Sequence, residues 1–392
     1  MAATEKGVWD VQEVRDKQLA SEWLYDGLDP GKLFGWGNNT SGQLGLNDNV
    51  RRSSPTQVGT DTTWQWIYGT AAIKNDGTLW MSGLQNGESG SNNQGNLGQN
   101  NLTSRSSPVQ IPGTTWKSVC TSGGTRATKT DGTLWYWGYP SNGQSGLNQP
   151  SSQPSALSSP TQIGTDADWD RVFTGGGGHT GCFKTDGTLY MWGNNTRGQC
   201  GNNTSVKISS PTQVPGTWTS TLCSSSYAVT YCARSDGTLW SWGDNEYGEL
   251  GHNSTSAGVS SPAQVASDVT TWKSITTGDA ATLATKTDGT MYGWGTNSNG
   301  KCMLDPNGRR SSPVQVGTDS NWNYVNSGSK VSMASKTDGT IWMAGQQEFG
   351  QLGNNVAPVQ NLSSPIQLPG TNWMVRNCFG GNGTSLKAKQ SA

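Results

Sequence analysis

The chain repeats one sequence motif at a spacing of about 50 residues, a period typical of solenoids and propellers. Ser-Ser-Pro occurs seven times, and each copy is followed by a Trp before the next phrase begins. The prolines are Pro55, Pro108, Pro160, Pro211, Pro262, Pro313 and Pro365, and the tryptophans are Trp64, Trp116, Trp169, Trp218, Trp272, Trp322 and Trp373. The repeat therefore constrains the fold class before any single residue does.

Asp-Gly-Thr occurs six times between short runs of apolar residues, beginning at Asp76, Asp131, Asp186, Asp236, Asp288 and Asp338. Asp-Gly at such a position predicts a two-residue β-hairpin turn of type I′, with positive φ at both central residues. The stretch after Ser-Ser-Pro and the stretch after the Trp add two more candidate strands. Each unit is thus predicted to hold about four strands, the blade size of a β-propeller.

The first and last repeats are halves that complete each other. Residues 30–37 match the half after the turn, with Pro30 in the Asp place, and residues 373–389 match the half before it. If residues 32–36 pair with the C-terminal strands, the ring closes without a free sheet edge. We expect an all-β, seven-bladed β-propeller at 30–389, closed by pairing of its N- and C-terminal strands, with a short arm at 1–29 and a tail at 390–392.

The phrase after each hairpin resembles the signature of the regulator of chromosome condensation repeat family. Trp-Gly-Asn-Asn-Thr-Ser-Gly-Gln-Leu-Gly begins at Trp36, and close variants begin at Trp192 and Trp242. This resemblance implies the propeller fold over residues 30 to about 389. It does not imply one function, because one fold carries unrelated functions.

Composition and charge narrow the class of function. The 19 Trp and 54 Gly accompany only 31% hydrophobic residues, so the repeated Trp is expected to supply much of the core. The formal net charge of -1 lacks the excess of basic residues typical of nucleic-acid binders, and we expect no nucleic-acid partner. We also expect no membrane insertion, since no long apolar stretch or signal peptide is present.

The sequence offers no grouping of catalytic or metal-binding residues. His179 and His252, the only two histidines, lie in different repeats, and the turn Asp residues recur because the turn needs them. Seven scattered cysteines argue against a zinc site and against a disulfide framework, so reduced thiols are expected. We predict a protein that is not an enzyme and that has no catalytic residues, no metal site and no cofactor.

A Lys or Arg precedes each turn Asp by two residues, and propeller symmetry could place these side chains in a ring. One interpretation is an anion-binding ring, and the favoured one is a solvated cation beside a turn Asp. These cations are Lys74, Lys129, Lys184, Arg234, Lys286 and Lys336, with Lys387 or Lys389 as a seventh.

Two long loops, residues 84–104 and 139–158, depart from the repeat and are rich in Asn, Gln, Ser and Gly. Variable loops on a rigid scaffold commonly carry recognition, and amide groups suit polar targets such as a polysaccharide. The predicted recognition residues are Asn92, Asn93, Gln94, Asn142, Gln144 and Asn148.

The N-terminal arm has a partial apolar stripe, and Asp10 with Glu13 forms a candidate capping box. An exposed arm would be an association surface, and packing back under the propeller is the alternative. Its predicted partner-binding residues are Trp9, Val11, Val14, Trp23 and Leu24. The opening Gly7-Val8-Trp9 also resembles the N-termini of tail and other virion proteins from marine tailed bacteriophages.

These features predict a non-enzymatic bacteriophage virion protein, tail or fibre associated, that is anchored by its arm and displays the propeller for protein or host-surface contact. The predicted partners are other virion or scaffold proteins in a homo- or hetero-oligomeric assembly, and the predicted location is the virion. The alternative is a cytoplasmic scaffold or inhibitor that binds proteins. A nucleotide exchange factor or a UV-B photoreceptor is disfavoured, since no basic tail and no Gly-Trp-Arg-His-Thr motif is present.

Overall fold

The computed structural model describes residues 30–83, 95–149, 156–255, 257–265, 271–306, 308–355, 361–374 and 385–391. Nearly all regular structure in these ranges is β-strand, with 3₁₀ turns at Ser141–Gly143 and Ser298–Gly300. The strands are β1 Gly31–Gly37, β2 Arg52–Gln57, β3 Trp64–Tyr68, β4 Ala71–Lys74, β5 Leu79–Gly83, β6 Arg105–Gln110, β7 Trp116–Thr121, β8 Gly124–Lys129, β9 Leu134–Gly138, β10 Leu157–Gln162, β11 Trp169–Gly175, β12 His179–Lys184, β13 Leu189–Gly193, β14 Ile208–Val214, β15 Trp218–Ser225, β16 Val229–Arg234, β17 Leu239–Gly243, β18 Val259–Gln264, β19 Trp272–Gly278, β20 Ala281–Lys286, β21 Met291–Thr296, β22 Arg309–Gln315, β23 Trp322–Ser327, β24 Val331–Lys336, β25 Ile341–Gly345, β26 Leu362–Gln367, β27 Trp373–Met374 and β28 Ser385–Ser391.

The strands form a β-propeller of six blades, so the prediction of seven blades is wrong. Five blades are four-stranded: β7 to β10, β11 to β14, β15 to β18, β19 to β22 and β23 to β26. The sixth has eight strands, in the order β27-β28-β1-β3-β4-β5-β6, with β2 paired to β1. Backbone pairing of Gly31 with Trp64 joins β1 to β3, so strands that the repeat assigns to two blades form one sheet.

The two ends of the chain pair within this eight-stranded blade. β1 lies antiparallel to β28 in an unbroken register from Gly31 opposite Ser391 to Gly37 opposite Ser385. The predicted pairing of N- and C-terminal strands is therefore present, and it closes the ring without a covalent bond.

The Asp-Gly-Thr turns form the predicted hairpins with a different geometry. In the first, Gly77 has a φ of 76° whereas Asp76 is not among the residues with positive φ, so the turn is not type I′. The Asp76 carboxylate accepts hydrogen bonds from the Thr78 backbone N–H at 2.9 Å and from its hydroxyl at 2.6 Å. Trp80 Nε1 donates to the same hydroxyl at 2.9 Å. The Thr thus connects the turn to the following strand.

The first strand of each set lies at the centre of the propeller. β3, β7, β11, β15, β19 and β23 contact one another in successive pairs, and each begins at one of the repeated Trp residues. These Trp side chains are 2 to 7% exposed and belong to apolar clusters between neighbouring sets of strands. Tryptophan is therefore the main packing residue of the core, as its frequency in the sequence predicts.

A Trp and a Gly from neighbouring sets of strands meet at most junctions, here called Trp-Gly seams. Trp242 Nε1 donates to the Gln199 carbonyl at 2.9 Å, and a Cβ on Gly201 would lie 2.7 Å from the same nitrogen. Gly201 has a φ of 67°, so only glycine satisfies both the backbone and the close approach. The seams pair Trp36 with Gly353, Trp137 with Gly98, Trp192 with Gly146, Trp242 with Gly201 and Trp294 with Gly251.

One junction replaces both members of the seam. Met303 stands where the other loops have Gly, and it keeps the left-handed backbone at a φ of 56°. Ala344 stands where the facing strand of other repeats has Trp, and both residues belong to one buried cluster. The Met side chain thus occupies the region that a Trp fills elsewhere.

Cys223 and Cys232 form a disulfide, which contradicts the expectation of reduced thiols throughout. They lie directly opposite each other in β15 and β16, with their Cα atoms 4.2 Å apart. Hairpin register brings them together although they are nine residues apart in sequence. Cys120, Cys182, Cys200 and Cys302 are buried free thiols.

Candidate protein-binding face

The propeller has two different faces. The Asp-Gly-Thr turns define one, the turn face. The opposite face, the loop face, carries the connections at 38–51, 95–104, 139–149, 194–207, 244–255, 297–306 and 346–355, together with the tight turns at 69–70, 122–123, 176–178, 226–228, 279–280 and 328–330. Antiparallel neighbours place alternate connections at opposite ends of a sheet, so these segments share one face.

The loop-face connections are held in place by their own Asn side chains. Asn195 accepts a hydrogen bond from the Cys200 N–H at 2.8 Å, and its amide nitrogen donates to the Val206 carbonyl at 3.0 Å. Asn39 and Asn245 accept equivalent bonds from Leu44 and Leu250. The Asn of the Trp-Gly-x-Asn phrase is therefore a scaffold residue that fixes the loop on which other side chains are displayed.

The large hydrophobic residues that are exposed in the described part of the chain all lie on the loop face. Val50, Leu102 and Val206 are 60, 44 and 70% exposed and precede outer strands of three different repeats. Tyr227 is 68% exposed in the tight turn between β15 and β16, near the centre. The four residues stand singly on different repeats, and it is their shared face that makes this side of the propeller a candidate association surface.

Two Arg side chains, one of them next to Val50 in sequence, stack on aromatic rings of the loop face. The Arg51 guanidinium lies 4.5 Å from the Phe349 ring centre, and the Arg309 guanidinium lies 4.4 Å from that of Tyr247. A groove of about 450 Å³ lies near Val206, and its lining includes Arg197, Asp244 and Glu246. The face therefore combines apolar, aromatic and charged groups, as protein interfaces do.

Three of the predicted loop-recognition residues lie among the described residues, and each forms hydrogen bonds within the propeller. Gln144 is 2% exposed, and its amide donates to the Gly123 and Tyr139 carbonyls at 3.1 and 2.9 Å. The Asn148 backbone N–H donates to the Ser209 carbonyl of the next blade at 2.8 Å. Asn142 accepts a hydrogen bond from Lys207 Nζ at 2.7 Å. A recognition role for the three stays a prediction.

The remaining predicted binding residues lie outside the described residues. They are Asn92, Asn93 and Gln94 of the first long loop and Trp9, Val11, Val14, Trp23 and Leu24 of the arm. The exposed Val50, Leu102, Val206 and Tyr227 were not predicted. Their signal is an apolar residue outside the periodic positions, in a polar loop or turn.

The cations before the turn Asp residues match neither interpretation made from the sequence. Lys336 Nζ lies 4.7 Å from the Trp322 ring centre and 4.5 Å from that of Trp342, and pairs with Asp319 at 2.7 Å. Its side chain is only 11% exposed. Lys74, Lys129, Lys184, Arg234 and Lys286 lie between two aromatic rings in the same way. These charges are packing elements of the turn face.

The two histidines lie in separate environments. His179 is buried and shares a 3.1 Å hydrogen bond between Nε2 and Thr230 Oγ1, and burial lowers its pKa to about 3. His252 shares one with Ser241 at 2.9 Å. Within the described ranges no three His, Cys, Asp or Glu side chains gather as metal ligands. None of the helices described there is long and apolar enough to cross a bilayer.

These groups predict a loss of stability in acid that proceeds in two stages. A neutral His179 contributes stability above pH 6.5, its ordinary pKa, which is lost as the pH falls toward 3. Hydrogen bonds from Thr lower the pKa of each turn Asp below 3.8, so their contribution is lost only at lower pH. We expect the melting temperature, followed by circular dichroism, to fall in both ranges. His179→Gln should reduce the first stage to the part that His252 contributes, because burial also lowers the pKa of His252, and an unchanged profile in that variant would contradict the assignment.

Comparisons with known proteins agree with this architecture. Models of the regulator of chromosome condensation (RCC1) repeat match residues 30–68, 186–230, 236–285 and 272–301. The ultraviolet-B receptor UVR8 of Arabidopsis thaliana is 27% identical over 298 residues, which are 72% of this chain and 64% of the receptor. The human E3 ubiquitin-protein ligase HERC2 is 27% identical over 198 residues, 47% of this chain and 4% of the ligase. The chain thus spans less than two thirds of these relatives.

Solved structures match the fold over nearly the whole chain. Prp20p of Saccharomyces cerevisiae, described with its binding properties to Gsp1p and histones, superposes with a TM-score of 0.77 at 18% identity over 94% of both chains. Human WBSCR16 gives the same TM-score and identity over 92% of this chain and 99% of its own. The predicted resemblance to phage virion proteins is not supported by these matches. The chain is therefore a β-propeller that contains sequence repeats similar to the RCC1 repeat.

Proposed function

We propose that this chain is a protein-interaction scaffold or inhibitor that binds a partner protein through its loop face. The observation that carries the proposal is the position of Val50, Leu102, Val206 and Tyr227, which are exposed on this face. The relatives add support, because Prp20p, which shares the fold, is described by its binding to Gsp1p and histones. This is the alternative drawn from the sequence, and the comparisons favour it over the virion role.

The loop face fits a protein partner better than a small molecule. Its apolar residues are spread over several repeats instead of lining one deep cavity, and small-molecule sites are usually concave and mostly apolar. The loops beneath them are fixed by Asn hydrogen bonds, so binding needs little ordering of the backbone. We infer a broad contact in which the apolar residues are anchors and the neighbouring Arg residues form part of the rim.

Substitution of two loop-face anchors should weaken partner binding. We expect Val206→Asp combined with Tyr227→Asp to weaken the complex by at least about tenfold, since each buried apolar side chain contributes about 1.5 to 3 kcal/mol. The partner would be captured from the source cell by cross-linking to the full chain, and its affinity then measured by calorimetry. A turn-face pair, Thr318→Asp with Ser320→Asp, adds the same two negative charges at exposed positions and is the matched control. Equal affinity of the double variant and the control would contradict the proposal.

A further inference from the structure

The disulfide of the β15–β16 hairpin occupies a position where other repeats have an apolar pair. Cys223 on the inner strand β15 faces Cys232 on β16. At the equivalent position four inner hairpins pair a Val or Ile with an Ala, and these pairs are Ile67 with Ala72, Val119 with Ala127, Ile275 with Ala284 and Val325 with Ala334. In the fifth, Val172 faces Cys182, which is a free thiol. Of the six inner hairpins that the structure describes, this one alone has cysteine in both places.

The same hairpin has the widest bulge of the six. Thr219 and Cys223 lie opposite two consecutive residues of β16, so that the three residues between them face no residue of that strand. In the other five hairpins the longer strand has one extra residue. A bulge interrupts the backbone ladder at its extra residues. The ladder therefore holds β15 least firmly just before Cys223.

The disulfide joins the strands at a level where the backbone contributes little. The Cα atoms of Cys223 and Cys232 are 4.2 Å apart, a separation typical of antiparallel pairs that exchange no backbone hydrogen bonds. Two further pairs of residues follow in the ladder, and the Ser226 N–H then donates to the Val229 carbonyl at 3.0 Å and closes the turn. We call the segment from Cys223 to Cys232 the Tyr227 tip, because the Tyr227 side chain is exposed at its end.

The two strands of the Tyr227 tip are held in different ways. β16 pairs with β17 along its length, and its Tyr231 is buried and accepts a hydrogen bond from Trp294 Nε1 at 2.9 Å. β15 is the edge strand of its blade, so a ladder joins it to β16 alone. Its tip residues reach the next blade through side chains, as in the 3.1 Å hydrogen bond from the Thr277 N–H to Ser224 Oγ. The disulfide therefore ties a weakly held strand to an anchored one.

A dithiol can open this bond in the folded chain. Cys223 is partly exposed, whereas Cys232 is fully buried. One thiolate of the reductant would attack Cys223 Sγ and form a mixed disulfide, and Cys232 would leave as a thiolate that takes up a proton. The second thiol of the reductant then displaces Cys223 in the same way. The chain gains two electrons and two protons, and the dithiol becomes a disulfide.

We propose that the Cys223–Cys232 bond holds the Tyr227 tip in place, and that reduction of the bond releases the β15 side of the tip. In the oxidised chain Tyr227 is presented on the loop face in one orientation. In the reduced chain the wide bulge and the edge position leave this part of β15 free to move, whereas β16 stays in place. The consequence for binding rests on the proposed function: a mobile anchor must be ordered when the partner binds, which weakens the complex.

Hydrogen exchange of the full chain, with and without dithiothreitol, tests the release of the tip. We expect the amides of residues 223–227 to exchange at least about tenfold faster in the reduced chain, because the disulfide no longer restricts local opening. The amides of residues 230–234 on β16 should change much less. Peptide mapping without reductant confirms which state each sample holds. Equal exchange of residues 223–227 in the two states would overturn the proposal.

Cys223→Val combined with Cys232→Ala is the matched variant. It restores the Val–Ala pair of other repeats, so the hairpin keeps its packing but has no disulfide. Its exchange should be the same with and without dithiothreitol. Cys182→Ala, which removes a buried free thiol from the equivalent position of another repeat, should respond to the reductant as the parent chain does. A response of the double variant as large as that of the parent would also overturn the proposal.

Partner affinity in the two redox states separates this inference from the proposed function. We expect reduction to weaken binding at least about threefold in the parent chain and to leave the variant with Cys223→Val and Cys232→Ala unchanged. If Val206→Asp with Tyr227→Asp weakens binding but reduction does not, the loop face keeps its role and the redox effect on binding is refuted. If exchange responds to reduction but neither change affects affinity, the proposed function fails and the release of the tip stands.

Discussion

Replacing Met303 by Gly and Ala344 by Trp in one chain is expected to give a more stable protein than either replacement alone, with a coupling free energy of about 3 kcal/mol. The double variant would rebuild the Trp-Gly seam that most other junctions have. The new indole N–H would reach the Lys301 carbonyl, which occupies the place of the Gln199 and Gln351 carbonyls that accept from Trp242 and Trp36.

Each single replacement is expected to destabilise the propeller for a different reason. Met303→Gly empties a site that is 3% exposed, which costs about 2 to 5 kcal/mol, and relief of the left-handed backbone returns only about 1. Ala344→Trp forces a large ring into the region that Met303 fills, which costs about 1 to 3 kcal/mol or more.

Urea unfolding of the four proteins measures the coupling directly. The matched control is the reverse exchange at a complete seam, Gly353→Met with Trp36→Ala, which should also be less harmful than the sum of its parts. Free energies of unfolding that add to within about 0.5 kcal/mol would show that Met303 and Ala344 do not substitute for a seam.

Trp242→Ala should lower the free energy of unfolding by about 4 kcal/mol, because the side chain is fully buried between two blades. Its ring centre lies 5.5 Å from that of Trp218, in a cluster with Cys200 and Val214. Removal leaves a cavity at the seam and takes away a hydrogen-bond donor to Gln199.

Two controls separate packing from hydrogen bonding in this prediction. Trp242→Phe should cost only about 2 kcal/mol for the lost bond and the smaller ring, because the Gln199 carbonyl still accepts from the Thr230 hydroxyl at 2.8 Å. Trp240→Ala, on the same strand, removes a ring that is only partly buried beneath Arg234, and we expect a loss well below that of Trp242→Ala. Chemical denaturation ranks the three variants, and an equal loss for Trp240→Ala and Trp242→Ala would refute the central role of the seam.

The local sequence motifs predicted much of the fold, but features that depend on pairing between distant strands could not be predicted from them. Ser-Ser-Pro lies within an outer strand, the repeated Trp begins an inner strand and Asp-Gly-Thr forms the turn of a hairpin, so the all-β propeller follows from the sequence. The number of blades does not, since one backbone pairing between Gly31 and Trp64 joins two sets of strands. The Cys223–Cys232 bond escaped prediction for a similar reason, because it depends on the register of two strands.

The binding face was harder to predict because the same residue types build the scaffold and could bind ligands. The sequence places Gln144 in a polar loop and suggests a free amide, yet its side chain is buried against backbone carbonyls. Lys336 reads as a solvated charge, yet two indole rings enclose it. The exposure of a side chain distinguishes a binding residue from a scaffold residue here. That exposure depends on contacts between repeats, which the sequence of one repeat does not show.

The register of β1 and β28 determines how the ring responds to force. Gly31 and Ser391 are the last pair at one end of the β1–β28 pairing, so the chain leaves both strands at the same point. Tension applied through residues 30 and 392 would therefore peel the hydrogen-bonded pairs apart one after another, beginning with Gly31 and Ser391, instead of shearing all of them together. The propeller would open first between β1 and β28, at a lower force than a pair of strands that is sheared along its length.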